Sequence, residues 1–431
     1  MNEMTFNGQT LLPETTVIDR CRSCQSDHLT DIQYFGETPL ADKLVRHDQL
    51  AYPQYRAPLT LTQCTDCGLA QIRETVSPDI LFGGDYPYYS SVSPALLRHF
   101  GRSAENLIAK RKLDRNSLVV EAASNDGYML KVFADHGIPV LGIDPASGPA
   151  AVANANGIHT LNTFFTADLA RQLADEGKQA DLFLANNVLA HVPDLNGFVA
   201  GIATILKPDG QAVIEAPYLK DLVDHCEFDT IYHQHLCYFS LSSLIPLFER
   251  HGLHLNDVDH TDIHGGSLRL YISGGEGQSS TLRDMLAEER TCHITRPAYF
   301  TAFKDRLSTI KTDLHILLDG LKATHARIAG YGAAAKATTL LHYLDIEDGY
   351  LDCVLDRNEN KQGWFMPGTA LEIRHPDWLA DNPPDYVMIL AWNFANEIMK
   401  DQSRFAGQGG QFILPVPTPG IVNGPVQNKS L

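Results

Sequence analysis

SLVVEAASNDGYMLKVFADHGIPVLGIDP, residues 117–145, is the stretch whose reading decides the fold. SLVVEAAS reads as a buried strand running into a turn, YMLKVFADHG as a helix, and PVLGIDP as a second strand. Strand-length apolar runs separated by helical patterns form a parallel, doubly wound sheet, with ligands at the carboxyl ends of its strands. The first strand ends at Glu121 and enters a turn containing Asn125 and Gly127. The second ends in Gly142-Ile143-Asp144-Pro145, where a carboxylate can accept hydrogen bonds from both hydroxyls of a ribose.

The alternation continues in both directions. AVANANG reads as a short helix, and DLFLANNVL as a strand ending at Asn186 and Asn187. LNGFVAGIATIL then reads as a helix, LKPDG (206–210) as a turn and QAVIEAP as a strand. Upstream, LLRHFGRSAENLIAKRK is an amphipathic helix, preceded by LFGGDYPYYSSVSP (81–94), a Pro/Gly/Tyr-rich segment that reads as a loop and contains Tyr86. Near residue 280 the pattern changes to the helical stretches TLRDMLAEER and FTAFKDRLSTIKTDLHILLDGLKA. A second βα series follows over about 325–420, opening with RIAGYGAAAKATTLLHYL. Gly330, Gly332 and Ala335 match G-x-G-x-x-[G/A], and Asp356 ends the next strand 21 residues later. Read literally, that is a dinucleotide fingerprint. Physically it offers backbone N–H groups and a helix N-terminus to an anion, with Lys336 nearby as a point charge. NAD or the diphosphate of a nucleotide-linked substrate would satisfy it.

Composition narrows the class. The chain has 431 residues, net charge −18, 44% hydrophobic residues and apolar runs no longer than strands. These values predict a multi-domain globular protein with no membrane span, and the absence of Lys/Arg runs weighs against nucleic acid as a partner. MNEMTFNGQTLLPETTV lacks the pattern of a secretory signal, which predicts a cytoplasmic protein. Eight cysteines include two CxxC pairs, Cys21/Cys24 and Cys64/Cys67; the rest are scattered like reduced thiols. Two knuckles supply four thiolates to a tetrahedral, structural zinc, and the 39 residues between them leave room for a hairpin or small sheet.

The densest polar stretch is IYHQHLCYFS (231–240), with Tyr232, His233, Gln234, His235 and Tyr238. On a strand or wide loop His233 and His235 share one side; on a helix His235 faces Tyr232 and Tyr238 instead. The His-x-His spacing admits a metal, but its sharper reading is general-base chemistry by a neutral imidazole. His191 is a second such group, and His264-Gly265-Gly266-Ser267 is a polar, glycine-rich turn.

Together, CRSC…CTDC, YPYYSS, EAASNDGY, NNVLAHV, YHQHLCYFS, HGGSLR and GYGAAAKA make nearly the whole chain resemble the C-methyltransferases of nucleotide-linked deoxysugars, which serve antibiotic and surface-glycan pathways. The resemblance implies a class I, Rossmann-like methyltransferase sheet between an N-terminal zinc module and a C-terminal Rossmann-like α/β domain, divided at 1–80, 81–280 and 281–431. It implies S-adenosylmethionine held around Glu121, Asn125, Gly127, Asp144, Pro145, Asn186 and Asn187, and zinc on Cys21, Cys24, Cys64 and Cys67. A sugar nucleotide, with thymidine diphosphate as the expected carrier, would lie between the central and C-terminal domains, near Gly330, Gly332, Lys336 and Asp356. The active-site positions are Tyr86, His191, Tyr232, Gln234 and His235, with His235 as the base that removes the proton α to the sugar ketone.

Two departures stand out. Class I methyltransferases usually carry several glycines after the first strand, where this chain has Glu121, Ala123, Asn125 and Gly127. Relatives usually have Glu where this chain has Gln234, and an amide can orient a neighbouring histidine but cannot raise its basicity as a carboxylate does. The alternatives are another acceptor for the same methyl donor, or an NAD-linked enzyme using the second glycine turn.

Overall fold

The computed structural model describes residues 14–77, 80–81, 89–92, 94–346 and 349–425. At the N-terminus, β1 (Thr15–Val17) pairs with β5 (Glu74–Val76) as a two-stranded ribbon. β2 (Leu29–Pro39), β3 (Arg56–Cys64) and β4 (Ala70–Ile72) form an antiparallel meander. Alternate residues of β3 (Ala57, Leu59 and Leu61) are fully buried, as expected for a strand with one covered face. The residues between the two CxxC pairs therefore form the antiparallel pair β2–β3, which β4 extends beyond Cys67.

The central sheet begins with β6 (Val119–Ala122), β7 (Val140–Ile143) and β8 (Thr160–Leu161). β9 (Ala180–Asn186), β10 (Leu206–Pro217), β12 (His254–Thr261) and β13 (Ser267–Ser273) complete it. Its order is β12-β13-β10-β9-β6-β7-β8, with β13 antiparallel to both of its neighbours. Both faces are covered, so the inner strands are continuously apolar instead of alternating. One face packs Leu182, Leu184 and Val213 under helix Pro94–Arg111; the other packs Phe183, Ala185 and Ile214 under helix Leu195–Ile205. The chain leaves β6 toward β7 on one side and later fills β9 on the other. A crevice therefore opens between the carboxyl ends of β6 and β9, the switch point where such sheets bind ligands.

Between β10 and β12 lies β11 (Cys237–Tyr238), which belongs to neither central face. It pairs with β4 and becomes the edge strand of the N-terminal sheet. The helical segment then follows, with Thr301–Ala323 burying Phe303, Leu307, Ile310, Leu314 and Leu318 along one stripe. The last sheet has the order β16-β15-β14-β17-β18-β19, from β14 (Ile328–Tyr331), β15 (Val354–Leu355), β16 (Ile373–Arg374), β17 (Tyr386–Ile389), β18 (Gln411–Leu414) and β19 (Gly420–Val422). All of its pairings are parallel except β18–β19, giving a second Rossmann-like unit. No helix among the described residues is long and apolar enough to cross a membrane.

Candidate active site

At the carboxyl edge of the central sheet, Asn186 Nδ2 donates to Glu121 Oε1 at 3.0 Å, joining the ends of β9 and β6. Burial pushes the Glu121 carboxyl up to about 8, against the opposing effect of that bond. The following turn makes its bends with little glycine: Ala123 (φ 51°) and Asn125 (φ 51°) adopt the left-handed conformation beside Gly127 (φ 78°). That costs about 1–2 kcal/mol for a residue with a Cβ. The Asn125 N–H offsets it by donating to Asp144 Oδ2 at 2.8 Å, while Asn125 Oδ1 accepts the Ser90 N–H at 2.9 Å. Asp144 Oδ1 takes the Ala146 N–H at 2.8 Å, so this carboxylate ties the two strand ends together, and Pro145 follows it directly.

Glu121 Oε2, Asp126 Oδ1 and Asn187 Oδ1 are buried with no partner among the described residues. Orphaned buried polar atoms cost free energy unless a ligand supplies partners. A ligand with an ammonium group and ribose hydroxyls, as S-adenosylmethionine has, fits this edge.

Next to the crevice, the 3-10 turn Leu189–His191 follows β9. His191 Nδ1 donates to the Gln234 carbonyl at 2.7 Å, and burial lowers its pKa, favouring the neutral ring. Its ring lies 4.9 Å from that of His235. His235 Nδ1 is 2.8 Å from the Thr230 carbonyl, which can only accept, so the proton is on Nδ1. Nε2 then accepts from the Tyr232 hydroxyl at 3.0 Å, with the two rings 4.2 Å apart. Tyr238 Oη donates to the His235 carbonyl at 2.9 Å. The Gln234 side chain is buried, and its Nε2 donates to nothing among the described residues. Tyr86 lies outside the described residues.

His233 departs from the strand reading. The stretch is a turn, and the His233 ring points away from His235 to donate through Nε2 to the Pro58 carbonyl of β3 at 3.0 Å. Burial pushes its pKa down to about 4. The histidine pair therefore does not hold a metal. Among the described residues the only such cluster is Cys21, Cys24, Cys64 and Cys67, with all four Sγ atoms within 4.8 Å of one another. Cys21–Cys67 and Cys24–Cys64 are 3.6 and 3.5 Å apart, close to the roughly 3.8 Å between sulfurs of a tetrahedron with 2.3 Å Zn–S bonds. Gln71 Nε2 donates to Cys21 Sγ at 3.2 Å, and Gln71 is the β4 partner of Cys237.

The second glycine turn reaches the same neighbourhood from the other side. A Cβ on Gly332 (φ 103°) would meet Ala391 at 2.5 Å, and one on Gly330 would meet Leu390 at 3.0 Å, so both glycines serve close packing. Asp356 accepts the N–H groups of Ala333 and Asn358 at 2.7 and 2.8 Å, repeating the arrangement at Asp144. Lys336, in the first turn of helix Ala335–Tyr343, lies 3.7 Å over the Trp392 ring, and Thr339 of that helix donates to the Ile231 carbonyl at 2.9 Å. Trp392 Nε1 donates to buried Asp229 at 2.7 Å. Residues 228–232 are thus seated on the second unit. The sequence reading missed Thr230, which acts through its backbone and leaves no side-chain signal. It also missed Lys361, whose Nζ donates to the Ala333 carbonyl at 2.7 Å from a loop without a motif.

Family models match along the chain: "Putative zinc binding domain" over 21–82, "Methyltransferase domain" over 97–258 and "C-methyltransferase C-terminal domain" over 262–417. The C-methyltransferase NovU of Streptomyces niveus is 36% identical over 409 residues, covering 94% of this chain and 97% of that protein. A ubiquinone biosynthesis O-methyltransferase of Azorhizobium caulinodans is 27% identical over 124 residues, 28% of this chain and 47% of that protein. Among solved structures, the magnesium protoporphyrin IX methyltransferase of Synechocystis PCC 6803 with bound SAM is 13% identical with TM-score 0.32, over 41% of this chain and 79% of that chain. The chain belongs to the C-methyltransferase family and is an S-adenosylmethionine-dependent enzyme with a four-cysteine zinc module.

Proposed function

We propose that the enzyme methylates a carbon of a nucleotide-linked keto-deoxysugar, with His235 as the base that removes the proton α to the ketone. The observation that carries this reading is the fixed tautomer of His235: Nδ1 is committed to the Thr230 carbonyl, which makes Nε2 the basic nitrogen. A proton reaches Nε2 by displacing the Tyr232 hydroxyl or by passing through it, so His235 and Tyr232 act as one unit. His191, held neutral by burial, imposes no like charge on an imidazolium 4.9 Å away. The unengaged Gln234 amide is a donor in a buried setting, suited to hold a substrate or enolate oxygen and unable to take the proton. Bound S-adenosylmethionine supplies an electrophilic methyl group for the carbon so activated.

The nucleotide is assigned to the second unit. Lys336 lies at a helix N-terminus and Lys361 beside the Ala333 carbonyl, which suits a diphosphate. The segment from Asp229 to Tyr232 connects that turn to His235. This architecture fits C-methylation of a sugar nucleotide in a deoxysugar or antibiotic pathway.

Calorimetric titration with S-adenosylhomocysteine, alone and then with thymidine diphosphate, tests the assignment. Binding of both supports it. Cofactor binding without the diphosphate moves the acceptor to another class, and NADH binding at Gly330–Asp356 instead would sink it. His235→Ala is expected to abolish turnover and leave S-adenosylhomocysteine affinity within about 2-fold; substantial residual turnover removes His235 as the base.

A further inference from the structure

On the face of the central sheet away from His235 is a cavity of about 400 Å³ that the chemistry above does not use. One wall is the stripe His99, Ser103 and Asn106 of helix Pro94–Arg111, with Arg102 beside it; the opposite wall is Thr261 and Arg269. Ile263 is the one apolar side chain among the lining residues, so this is not a packing void.

The cavity rests on a buried ion cluster. Glu215, at the end of β10, is 0% exposed and is the register partner of Arg269 on β13. Arg269 is 9% exposed and donates to Glu215 Oε2 from Nε at 3.1 Å and from Nη2 at 2.7 Å. His99 Nε2 lies 3.0 and 2.9 Å from the two Glu215 oxygens and 2.8 Å from Arg269 Nη2, so imidazole, carboxylate and guanidinium form one cluster. These bonds fix the guanidinium plane and leave Nη1, which makes no hydrogen bond among the described residues, as the spare donor of an Arg269 that lines the cavity. Arg102, also on the lining, makes no hydrogen bond or ion pair among the described residues. The lining thus carries the side chains of Arg102, Arg269, His99 and Asp262, with Glu215 beneath Arg269 as its paired carboxylate. A buried Arg–Glu pair is costly unless its geometry is used, and here it presents a pre-oriented guanidinium to a space large enough for an organic ligand.

We propose that this cavity is a second ligand site, which takes an organic oxyanion (a phosphate or carboxylate group on a small polar body) on Arg269 and Arg102. Its volume of about 400 Å³ falls within the range of small-molecule sites. Glu215 and Arg269 share the face of Val213 and Tyr271 under helix Pro94–Arg111. The stretch around His235 packs with Ala216 and Leu268 on the other face. The site is therefore separate from both the base and the second glycine turn, adjoins the cofactor edge through Asn186, the β9 partner of Glu215, and does not depend on the sugar-nucleotide assignment.

Glucose 1-phosphate and glucuronate are the probes, titrated by calorimetry into the full-length protein, Arg102→Gln and Lys336→Ala. Arg102 is exposed, so its replacement should leave folding intact. The site is supported if either probe binds the wild-type protein, Arg102→Gln weakens it at least 10-fold, and Lys336→Ala and S-adenosylhomocysteine affinity show no change. Preference between the probes identifies the oxyanion. No binding of either probe overturns the proposal, as does binding that Arg102→Gln leaves intact or that Lys336→Ala removes.

Discussion

The contact between His233 and Pro58 gives a quantitative pH prediction, because one ring holds the stretch around His235 to the N-terminal sheet. His233 is 1% exposed and burial lowers its pKa from 6.5 to about 4. Below pH 6.5 the unfolded or released stretch takes up a proton that the docked ring refuses. The docked state is therefore fully favoured above 6.5 and loses stability as pH falls toward 4. Between pH 7 and 5 the difference is about 2 kcal/mol, roughly a 30-fold change in the opening equilibrium. His233→Gln keeps an N–H for the Pro58 carbonyl at 3.0 Å but does not titrate. Hydrogen exchange at Ile72, whose N–H donates to the Leu236 carbonyl, reads this opening directly. Comparing wild type with His233→Gln at each pH cancels intrinsic exchange and any shared effect of acid on the cysteines. The expected result is a gap that widens by about 2 kcal/mol from pH 7 to 5. Parallel profiles for the two proteins, or a His233 resonance titrating near 6.5, would refute the reasoning.

Removal of zinc by a chelator should speed exchange at 70–72 and 236–238 at least 10-fold while β9 stays protected, since Gln71 links Cys21 to the strand paired with Cys237; unchanged exchange at 236–238 would separate the metal from the His235 stretch. Glu121, raised to about 8 by burial, is largely protonated at pH 7, and a cationic ligand favours its ionised form. S-adenosylhomocysteine affinity should therefore rise from pH 7 to 9 with proton release, seen by calorimetry in two buffers of different ionisation enthalpy, and Glu121→Gln should remove the release. In the ligand-free protein the sign is the reverse. A buried acid with a raised pKa stabilises the fold below its unfolded value near 4.5 and loses that contribution as pH rises through about 8, so Glu121→Gln should gain relative stability in alkali. Glu289 is fully buried and accepts from the Tyr218 hydroxyl, the N–H groups of Leu241 and Ser242, and the Ser242 hydroxyl. Glu289→Ala should cost about 3–5 kcal/mol in urea unfolding by stranding these donors, and a loss below about 1 kcal/mol would contradict that accounting.

What could be read ahead of the structure was whatever local patterning encodes. The two CxxC pairs carry their own geometry, and the four sulfurs meet although 39 residues separate the knuckles. Strand-sized apolar runs gave the parallel sheets, because strands covered on both faces need no alternation. The turn after β6 shows where a residue-type rule was too narrow: its left-handed bends at Ala123 and Asn125 are held by hydrogen bonds to Asp144 and from Ser90, which motif spacing does not register. The stretch 231–240 was conspicuous by composition, but its geometry could not be read locally. It is a turn leading into β11, with its groups distributed among three partners: the His233 ring goes to β3, His235, bonded to Tyr232, lies beside His191, and the Ile231 carbonyl meets the second unit. No periodicity predicts that distribution, because it depends on β11 pairing with a strand from the far end of the sequence. The same long-range pairing explains why this scaffold joins a zinc module to a methyltransferase sheet. The sheet alone leaves the loop after β10 without a rigid neighbour. The small zinc-bound sheet, fixed by four ligands, supplies an edge against which His233, His235 and Tyr238 hold their relative positions.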